Sequence, residues 1–521
     1  MDVLQVAVFF GLMVALAYFT WAKVSAAKAA SHASANKEIF LAGGGLSWFF
    51  VAGAITLTNL STDQLVGMNG AQMFLLAWWE IAGFIGLMLL AFVFVPIYYR
   101  EKCTTVTELL EKKYDGGSIR TVISGLFLAG NVFIYLPAVI YSGSLFLQSL
   151  FGLGIDEGAA AAAMEAVPAI AVEAAPAIDP TLLLIAAIFA IVGAAYAILG
   201  GLRAVAVLDT YSGVGILGLA LVVVFLALQA IGFDFSGVPA ERLSMVGDNN
   251  SQIPWHTLFT GMIFIQIFYW STNQNITQKA LAAPNVKEAQ KGIMAAAIIR
   301  VLVVPPIVVI PGVVAYKLFG GVGDKAYGML VDQVLPGWTS GLFAAMIAAA
   351  VLTTYSAVMN ATITLWSVDF HRKFINEDVD VVKLNRKVGF AAMLVSIALV
   401  PLYANAESII DLLQQLNGLL SMPILSAFAA ALLFRNMDAR AAVVGLVYGV
   451  GIYAFHTFFL YTNQEMWGGT TYYLYLGLEW LHYIDVMVFV LFSSIVVALF
   501  TNRIVFGKTA QFIGFRSAIA A

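Results

Sequence analysis

Charged residues are scarce in this chain, and their scarcity excludes most soluble folds. Only 11% of the 521 residues are Asp, Glu, Lys or Arg, whereas 61% are hydrophobic and the mean hydropathy is +0.91. A soluble protein needs roughly 25% charged residues to cover its surface. The composition therefore predicts an all-α polytopic protein that crosses a lipid membrane many times.

Cysteine and clustered positive charge are also nearly absent. The single cysteine, Cys103, can form neither an intrachain disulfide nor a Cys-rich zinc site, and a net charge of −4 gives no basic surface for nucleic acid. The five histidines lack metalloprotease spacing, and Gly507-Lys508-Thr509 lacks the upstream glycine of a phosphate-binding loop because Asn502 stands there. We therefore predict that the chain is not an enzyme and binds no nucleic acid.

Apolar runs of about 20 residues, the length that crosses ~30 Å of hydrocarbon, recur along the chain. Lys and Arg gather in alternate loops, and by the positive-inside rule the N-terminus lies outside and the C-terminus inside. The loop at 150–180 has acidic but no basic residues, so we expect it outside. The thirteen predicted spans are 3–22, 43–70, 77–99, 121–149, 181–199, 205–232, 257–277, 294–317, 338–367, 387–405, 408–434, 441–461 and 483–501.

Polar residues interrupt the second and the seventh of these spans, at Thr56 to Gln64 and at Gln266 to Gln274. Polar groups inside a membrane are costly and mark functional sites, so both segments are predicted to be unwound. The interruptions lie five spans apart, which indicates two inverted five-helix repeats with a site between them. The predicted segments are a flanking helix and loop at 1–39, repeats at 40–235 and 236–436, and flanking helices at 437–521.

Hydroxyl groups cluster in the ninth span. The hydroxyls of Thr353 and Thr354 and the carbonyl of Ala350 can face carbonyls that unwinding frees at Leu57 and Leu60. Hard cations bind oxygen ligands, so these five residues predict a Na⁺ site. Thr and Ser also serve as ordinary interhelical hydrogen-bonding groups in membranes, and that alternative stays open on the pattern alone.

Several motifs of the chain resemble those of the sodium/solute symporter family, and within it the sodium/glucose (SGLT-like) branch. The family has the inverted five-plus-five helix repeat typified by LeuT. The resemblance therefore implies the same fold that the two interrupted spans predict. The motifs are Phe40-Leu41-Ala42-Gly43, Asn59-Leu60-Ser61 through Gln64, Gly67-Met68, Trp79-Glu80, Gly200 to Val205 with Asp209, Tyr269 to Gln274, Gln278 to Ala282, Glu288 to Gly292, Gln414 and Gly418.

The resemblance implies that Na⁺ is bound by the five residues named above. A second sodium site, present in some relatives, would use Asp209 and Ser356 together with Thr353. Ala357 replaces a hydroxyl that relatives with two ions carry, so we expect one Na⁺. The alternative for Asp209 is a hydrogen bond at the start of its helix.

The resemblance also implies a sugar site. Amides and charged groups would bind the hydroxyls, and Asn59 would link the sugar to the sodium site. Tyr269 would stack under the sugar ring as the inner gate, whereas Met68, Trp79 and Ile410 would close the site from outside. The implied substrate-binding residues are Asn59, Gln64, Glu80, Gln266, Tyr269, Trp270, Arg300 and Gln414.

Three positions depart from the pattern of sugar symporters. Gly83 stands where a Ser is common, Gln266 replaces an Asn, and Arg300 replaces a Lys. Because an Arg binds carboxylates with two parallel hydrogen bonds, a sugar acid is an alternative substrate. If Arg300 pairs instead with Glu80, the site returns to neutral sugars.

These features predict a multi-pass symporter of the cell inner membrane that imports a hexose-type sugar with Na⁺ by alternating access. The predicted ligands are Na⁺ and a small-molecule sugar. The alternatives are a Na⁺ symporter for a uronate or another small polar solute, and a sugar sensor that does not transport.

Overall fold

The computed structural model describes residues 3–29, 42–60, 62–114, 116–153, 179–249, 251–404, 409–461 and 482–514, and almost all of their regular structure is helical. Two short strands, β1 (Phe434–Arg435) and β2 (Gln511–Phe512), pair antiparallel. The α-helices are α1 Val3–Ala29, α2 Trp48–Asn59, α3 Thr62–Gly70, α4 Trp78–Ile81, α5 Gly83–Leu89, α6 Val95–Arg100, α7 Val106–Tyr114, α8 Ser118–Ala129, α9 Leu136–Phe151, α10 Pro180–Ala195, α11 Gly201–Ala230, α12 Ala240–Leu243, α13 Gly261–Ile267, α14 Gln274–Leu281, α15 Val286–Leu302, α16 Val304–Phe319, α17 Ala326–Val334, α18 Gly337–Thr364, α19 Arg372–Phe374, α20 Val381–Ala404, α21 Ile409–Leu433, α22 Ala439–Ala454 and α23 Tyr483–Ile504.

Six of the described helices continue at their carboxyl ends into π-helical turns. Such turns hold one residue more than an α-turn and are frequent at functional sites. They lie at Leu90–Phe94, Gly130–Tyr135, Tyr196–Gly200, Phe268–Thr272, Leu365–His371 and Phe455–Tyr461.

In the described part of the chain, 11 helical stretches are long and apolar enough to cross a membrane. The two predicted spans outside this set are the second and the seventh, because each is broken into shorter helices. The total of thirteen spans and the orientation of the termini stay predictions. Most of the acidic loop expected outside, residues 154–178, lies beyond the described residues.

The first break separates α2 from α3. Leu60 leaves the helical conformation with φ −80° and ψ 57°, while its backbone N–H still donates to the carbonyl of Thr56 at 3.0 Å. The helix resumes at Thr62. The interruption predicted for this span is therefore confirmed, and it is short.

The second break separates α13 and its π-helical extension from α14. Asn273 adopts an extended conformation with φ −76° and ψ 128°, and its side chain accepts a hydrogen bond from the backbone N–H of Asn275. Asn is a favoured N-cap residue because its side chain satisfies such a free N–H group. The break is narrower than the predicted stretch from Gln266 to Gln274, since the residues up to Thr272 remain helical.

Helix α18 lies at the centre of the described bundle, packed against α1, α9, α10 and α11. Its many alanines let the neighbouring backbones approach closely, as is usual in membrane helix packing. A Cβ atom added to Gly193 of α10 would lie 2.6 Å from the ring of Tyr355. This close packing fixes the position of Thr353 and Thr354.

A short turn at Gly323–Lys325 contacts the start of α21. One carboxylate oxygen of Asp324 accepts the backbone N–H of Ile409 at 3.2 Å. Burial, with a smaller contribution from the charge of Asp411, raises the pKa of Asp324 to about 6. The folded protein therefore favours the protonated form of this carboxyl group.

We expect Asp324→Asn to change the pH dependence of stability. The stabilisation by a carboxyl group with a raised pKa is complete below its unfolded pKa of about 4 and is lost as the pH rises through 6. The melting temperature of Asp324→Asn relative to the unmodified protein should therefore rise between pH 5 and pH 7.5 in detergent. Asp332→Asn, at an exposed carboxyl group on α17, is the control and should leave the pH dependence unchanged. If the melting temperatures of Asp324→Asn and the unmodified protein change with pH in parallel, the raised pKa of Asp324 is contradicted.

Candidate functional site

The two broken helices meet around a cavity of about 70 Å³. Ordinary ligand pockets measure about 300–1,000 Å³. The cavity must therefore widen before a solute of sugar size binds. The predicted site residues on the cavity wall are Gln64, Trp79, Gln266, Tyr269, Thr354, Ile410 and Gln414.

Arg300 of α15 lies behind this wall and is completely buried. Its guanidinium pairs with the carboxylate of Glu80, and it donates to the carbonyl of Thr56 at 3.3 Å and to the side-chain oxygen of Gln64 at 3.4 Å. The ring of Trp270 lies 4.7 Å from the guanidinium carbon. Because Thr56 and Gln64 stand on either side of the first break, one side chain ties both halves of the broken helix to α4.

Neither Glu80 nor Arg300 lines the cavity, although both are predicted to contact the solute. Each balances the charge of the other inside the protein. Removing one partner of a buried ion pair costs about 3–5 kcal/mol, because the remaining charge is left buried alone. The pair of Glu80 and Arg300 therefore packs behind the cavity wall and does not line the cavity.

Gln266 lines the cavity, but its amide is already bound at both ends. Its nitrogen donates to the carbonyl of Trp79 at 2.8 Å, and its oxygen accepts the indole N–H of Trp270 at 2.9 Å. A Cβ atom at Gly83 would lie 2.8 Å from that indole nitrogen, so a larger residue does not fit. Trp270 is only 1% exposed and does not reach the cavity, contrary to its predicted contact with the solute.

Three further polar residues on the wall, Tyr135, Asn275 and Asn417, are outside the set predicted from the sequence. Tyr135 donates through its hydroxyl to Asn417, which in turn donates to Gln414 at 3.4 Å. Asn275 donates to Asn131 at 3.3 Å, and its side-chain oxygen has no hydrogen-bond partner among the described residues. The position of Asn417 could have been predicted from helical spacing, because it lies three residues after Gln414 on the same helix face.

The predicted gate residues lie on two sides of the cavity. Trp79 and Ile410 are almost buried in its wall, whereas Met68 is completely buried and does not line it. A Cβ atom at Gly67 would lie 3.2 Å from the Cβ of Ile410, so α3 and α21 pack tightly there. Tyr269 lines the cavity and packs edge to face on the indole of Trp270. The gate roles stay predictions.

The residues predicted to bind sodium belong to α2, the first break and α18, and α2 packs against α18. The break at Leu60 removes regular helical hydrogen bonding from nearby carbonyls. Thr353 donates to the carbonyl of Ala350 at 3.0 Å. The buried hydroxyl of Thr354 has no hydrogen-bond partner in the described ranges. A set of uncharged oxygens with one uncommitted hydroxyl fits a hard monovalent cation.

The residues predicted for a second sodium site are only partly brought together. Asp209 pairs with the ammonium of Lys279 at 2.7 Å, and Lys279 also donates to the carbonyl of Ala54 at 3.0 Å. Ser356 donates to the carbonyl of Gly193 at 2.8 Å and so faces α10. Lys279 thus supplies the positive charge that the buried carboxylate requires. One carboxylate oxygen of Asp209 has no hydrogen-bond partner among the described residues, and Thr353 lies close enough to interact with this carboxylate. The second sodium site of Asp209, Ser356 and Thr353 therefore stays a prediction, and so does the alternative of a hydrogen bond at the start of the Asp209 helix.

Asn59 and Asp63 are placed in α2 and α3 by their backbones. Their side chains lie outside the described part of the structure. The predicted link from Asn59 between the sodium and solute sites is therefore still a prediction.

We expect Lys279→Met to destabilise the protein by about 3–5 kcal/mol, because it leaves the carboxylate of Asp209 buried without its partner. The double variant Lys279→Met with Asp209→Asn should recover most of the loss. Thermal unfolding of the purified protein in detergent measures both effects. Lys291→Met, which removes an exposed ammonium paired with Glu288 at 2.9 Å, is the matched control and should have little effect. A single variant as stable as the control would refute the pairing.

The sequence is similar to transport proteins over most of its length. The profile of the Sodium:solute symporter family matches residues 39–170 and 169–449. The "Uncharacterized symporter YidK" of Escherichia coli strain K12 is 33% identical over 479 residues, which cover 88% of this chain and 79% of that protein. A sodium/glucose cotransporter of Vibrio parahaemolyticus is 27% identical over 451 residues, covering 79% of this chain and 78% of the relative. Human sodium/myo-inositol cotransporter 2 is 26% identical over 452 residues, which cover 80% of this chain and 64% of that protein.

Solved structures share the fold. A Na⁺-coupled sialic acid symporter in a substrate-bound outward-open state matches with a TM-score of 0.75 at 15% identity, covering 98% of this chain and 100% of that chain. MhsT in complex with L-phenylalanine matches with a TM-score of 0.51 at 14% identity, covering 87% of this chain and 98% of that chain. The LeuT-like fold predicted from the sequence is confirmed. The protein is a multi-pass membrane transporter that uses Na⁺ and a small-molecule solute and is not an enzyme, and it belongs to the sodium:solute symporter family.

Proposed function

We propose that the protein imports a neutral polyhydroxylated solute of the hexose or cyclitol type together with one Na⁺ across the cell inner membrane. One observation carries this proposal. Among the described residues the cavity wall contains amide, hydroxyl and aromatic side chains but no Asp, Glu, Lys or Arg. Sugars and cyclitols present hydroxyl groups around an apolar ring face, which amides and an aromatic platform recognise.

The buried ion pair argues against a sugar acid. A carboxylate would need an uncommitted cation, but Arg300 is already paired with Glu80 and is separated from the cavity by the wall. A neutral polyol leaves this pair undisturbed. The names of the sodium/glucose and sodium/myo-inositol cotransporters to which the chain is similar support the same class of solute.

Sodium would couple to the solute through the first break. An ion bound between Leu60 and Thr354 would hold α2 against α18. Gln64 lies four residues after Leu60 and lines the cavity, so the position of its side chain depends on that break. One Na⁺ moving down 100 mV and a tenfold gradient releases about 3.7 kcal/mol, which supports an accumulation of several hundredfold.

Transport into proteoliposomes tests this proposal. Labelled glucose, galactose, myo-inositol and galacturonate are offered with an inward Na⁺ gradient and, separately, with K⁺ in place of Na⁺. We expect accumulation of a neutral solute that requires Na⁺, with a Hill coefficient for Na⁺ near one. Equal uptake in K⁺ would exclude sodium coupling, binding without accumulation would indicate a sensor, and uptake of galacturonate alone would indicate a sugar-acid symporter.

Thr354→Ala should raise the Na⁺ concentration for half-maximal uptake about tenfold or more, because it removes a ligand to a charged ion. Thr339→Ala is the matched control, since it makes the same change at a half-buried residue in the first turn of the same helix, where, among the described residues, the hydroxyl donates only to the carbonyl of Pro336. The two variants are compared by initial rates over a range of Na⁺ concentrations. Equal Na⁺ dependence in both variants would remove Thr354 from the sodium site.

Glu80→Gln should make the transporter sensitive to sugar acids. The variant leaves the positive charge of Arg300 uncompensated just behind the wall, so galacturonate should compete with uptake of the neutral solute although it does not compete in the unmodified protein. Some loss of stability is expected, and a thermal unfolding curve at the assay temperature shows whether the variant is folded. A folded variant with unchanged selectivity would contradict the screening role of Glu80.

A further inference from the structure

A groove of about 680 Å³ opens on the surface of the helix bundle and shares no lining residue with the solute cavity. Three helical stretches form it: α8 with its π-helical continuation, the end of α18 with the π-helical turn after it, and the first half of α20. Its lining is apolar along most of its length, with Phe133, Trp366 and Val395 among the exposed side chains. The ring of Trp366 stacks on that of Phe370 at 5.7 Å.

The length of the groove fits one leaflet of a bilayer. Its lining extends from Gly125 to Phe133 on one side and from Leu384 to Val395 on another. At 1.5 Å per residue, these stretches of helix rise about 12 Å and about 16 Å. The hydrocarbon core of a bilayer is ~30 Å thick, so one leaflet contributes about half of that.

Positive charge lies at one end of the groove. Lys387 lines it within the first two turns of α20, and among the described residues its ammonium has no ion-pair partner. Two nearby lysines are committed, since Lys373 pairs with Glu111 at 2.5 Å and Lys383 with Asp380 at 3.5 Å. His371 also lines this end, and its Nδ1 atom is buried and has no hydrogen-bond partner in the described part of the chain.

We propose that this groove binds one anionic phospholipid. An acyl chain lies along the apolar lining, and the phosphate group lies at Lys387 and His371. This end belongs to the membrane side that the distribution of Lys and Arg predicts to be cytoplasmic, where basic pockets between helices bind anionic head groups. Because α18 also carries Thr353 and Thr354, the lipid contacts the same helix as the sodium site.

Quenching of Trp366 fluorescence by brominated lipids tests the proposal. The protein is reconstituted with brominated phosphatidylglycerol or brominated phosphatidylcholine, and the difference from Trp366→Phe isolates the signal of this residue among the ten tryptophans. We expect half-maximal quenching at about fivefold less phosphatidylglycerol than phosphatidylcholine, since a basic residue near the surface contributes about 1 kcal/mol.

Lys387→Gln should abolish this preference, and Lys383→Gln, which removes a charge from the same helix outside the groove, should keep it. Ala391→Phe fills the groove and should reduce quenching by both lipids. Thermal unfolding of the purified protein in detergent serves as the folding check for every variant. Equal quenching by the two lipids, or a preference that Lys387→Gln leaves intact, would overturn the proposal in favour of ordinary bulk lipid. Absence of quenching by either lipid would show that no lipid enters the groove.

Discussion

The fold depends on two buried cationic side chains, Lys279 and Arg300, that bind carbonyl groups near the carboxyl end of α2. Lys279 donates to the carbonyl of Ala54, and Arg300 donates to that of Thr56, two residues further along the same helix. The C-terminus of a helix carries partial negative charge and attracts cations. Because Asp209 and Glu80 neutralise the two side chains, a third cation at the break is not repelled. The second broken helix and α15 are thereby both attached to the first broken helix.

The same arrangement explains why ion binding and solute binding are physically connected. The break at Leu60 lies between the carbonyl held by Arg300 and the side chain of Gln64, which Arg300 also contacts. Any movement of the break therefore alters the cavity wall. The cavity is too small for a sugar, so its wall must move when a solute binds. Each ion pair joins two different helices, α4 to α15 and α11 to α14, so we expect each pair of helices to move together.

The sequence predicted the helical membrane fold and both interruptions, because polar residues inside apolar spans are costly and therefore conspicuous. It did not predict that Asn273 alone forms the second break, since an N-cap residue that resumes the helix at once cannot be distinguished from a longer unwound segment. The partner of Asp209 was also missed. Lys279 falls in the predicted loop between the spans 257–277 and 294–317, whereas the three-dimensional structure shows it buried against α11. Glu80 as the partner of Arg300 was among the alternatives, because opposite charges inside a membrane seek each other.

Gly83 and Gln266 show why departures from a family pattern should be considered together. The indole of Trp270 occupies the space that a side chain at position 83 would need, and Gln266 holds that indole in place. A Ser at position 83 would collide with the ring, and an Asn at position 266 is one methylene too short to bridge Trp79 and Trp270. Residues in direct contact do not have additive effects when they are changed. The shape of this pocket is therefore a joint property of the three residues, and a change at position 83 is tolerated only if Trp270 or Gln266 changes with it.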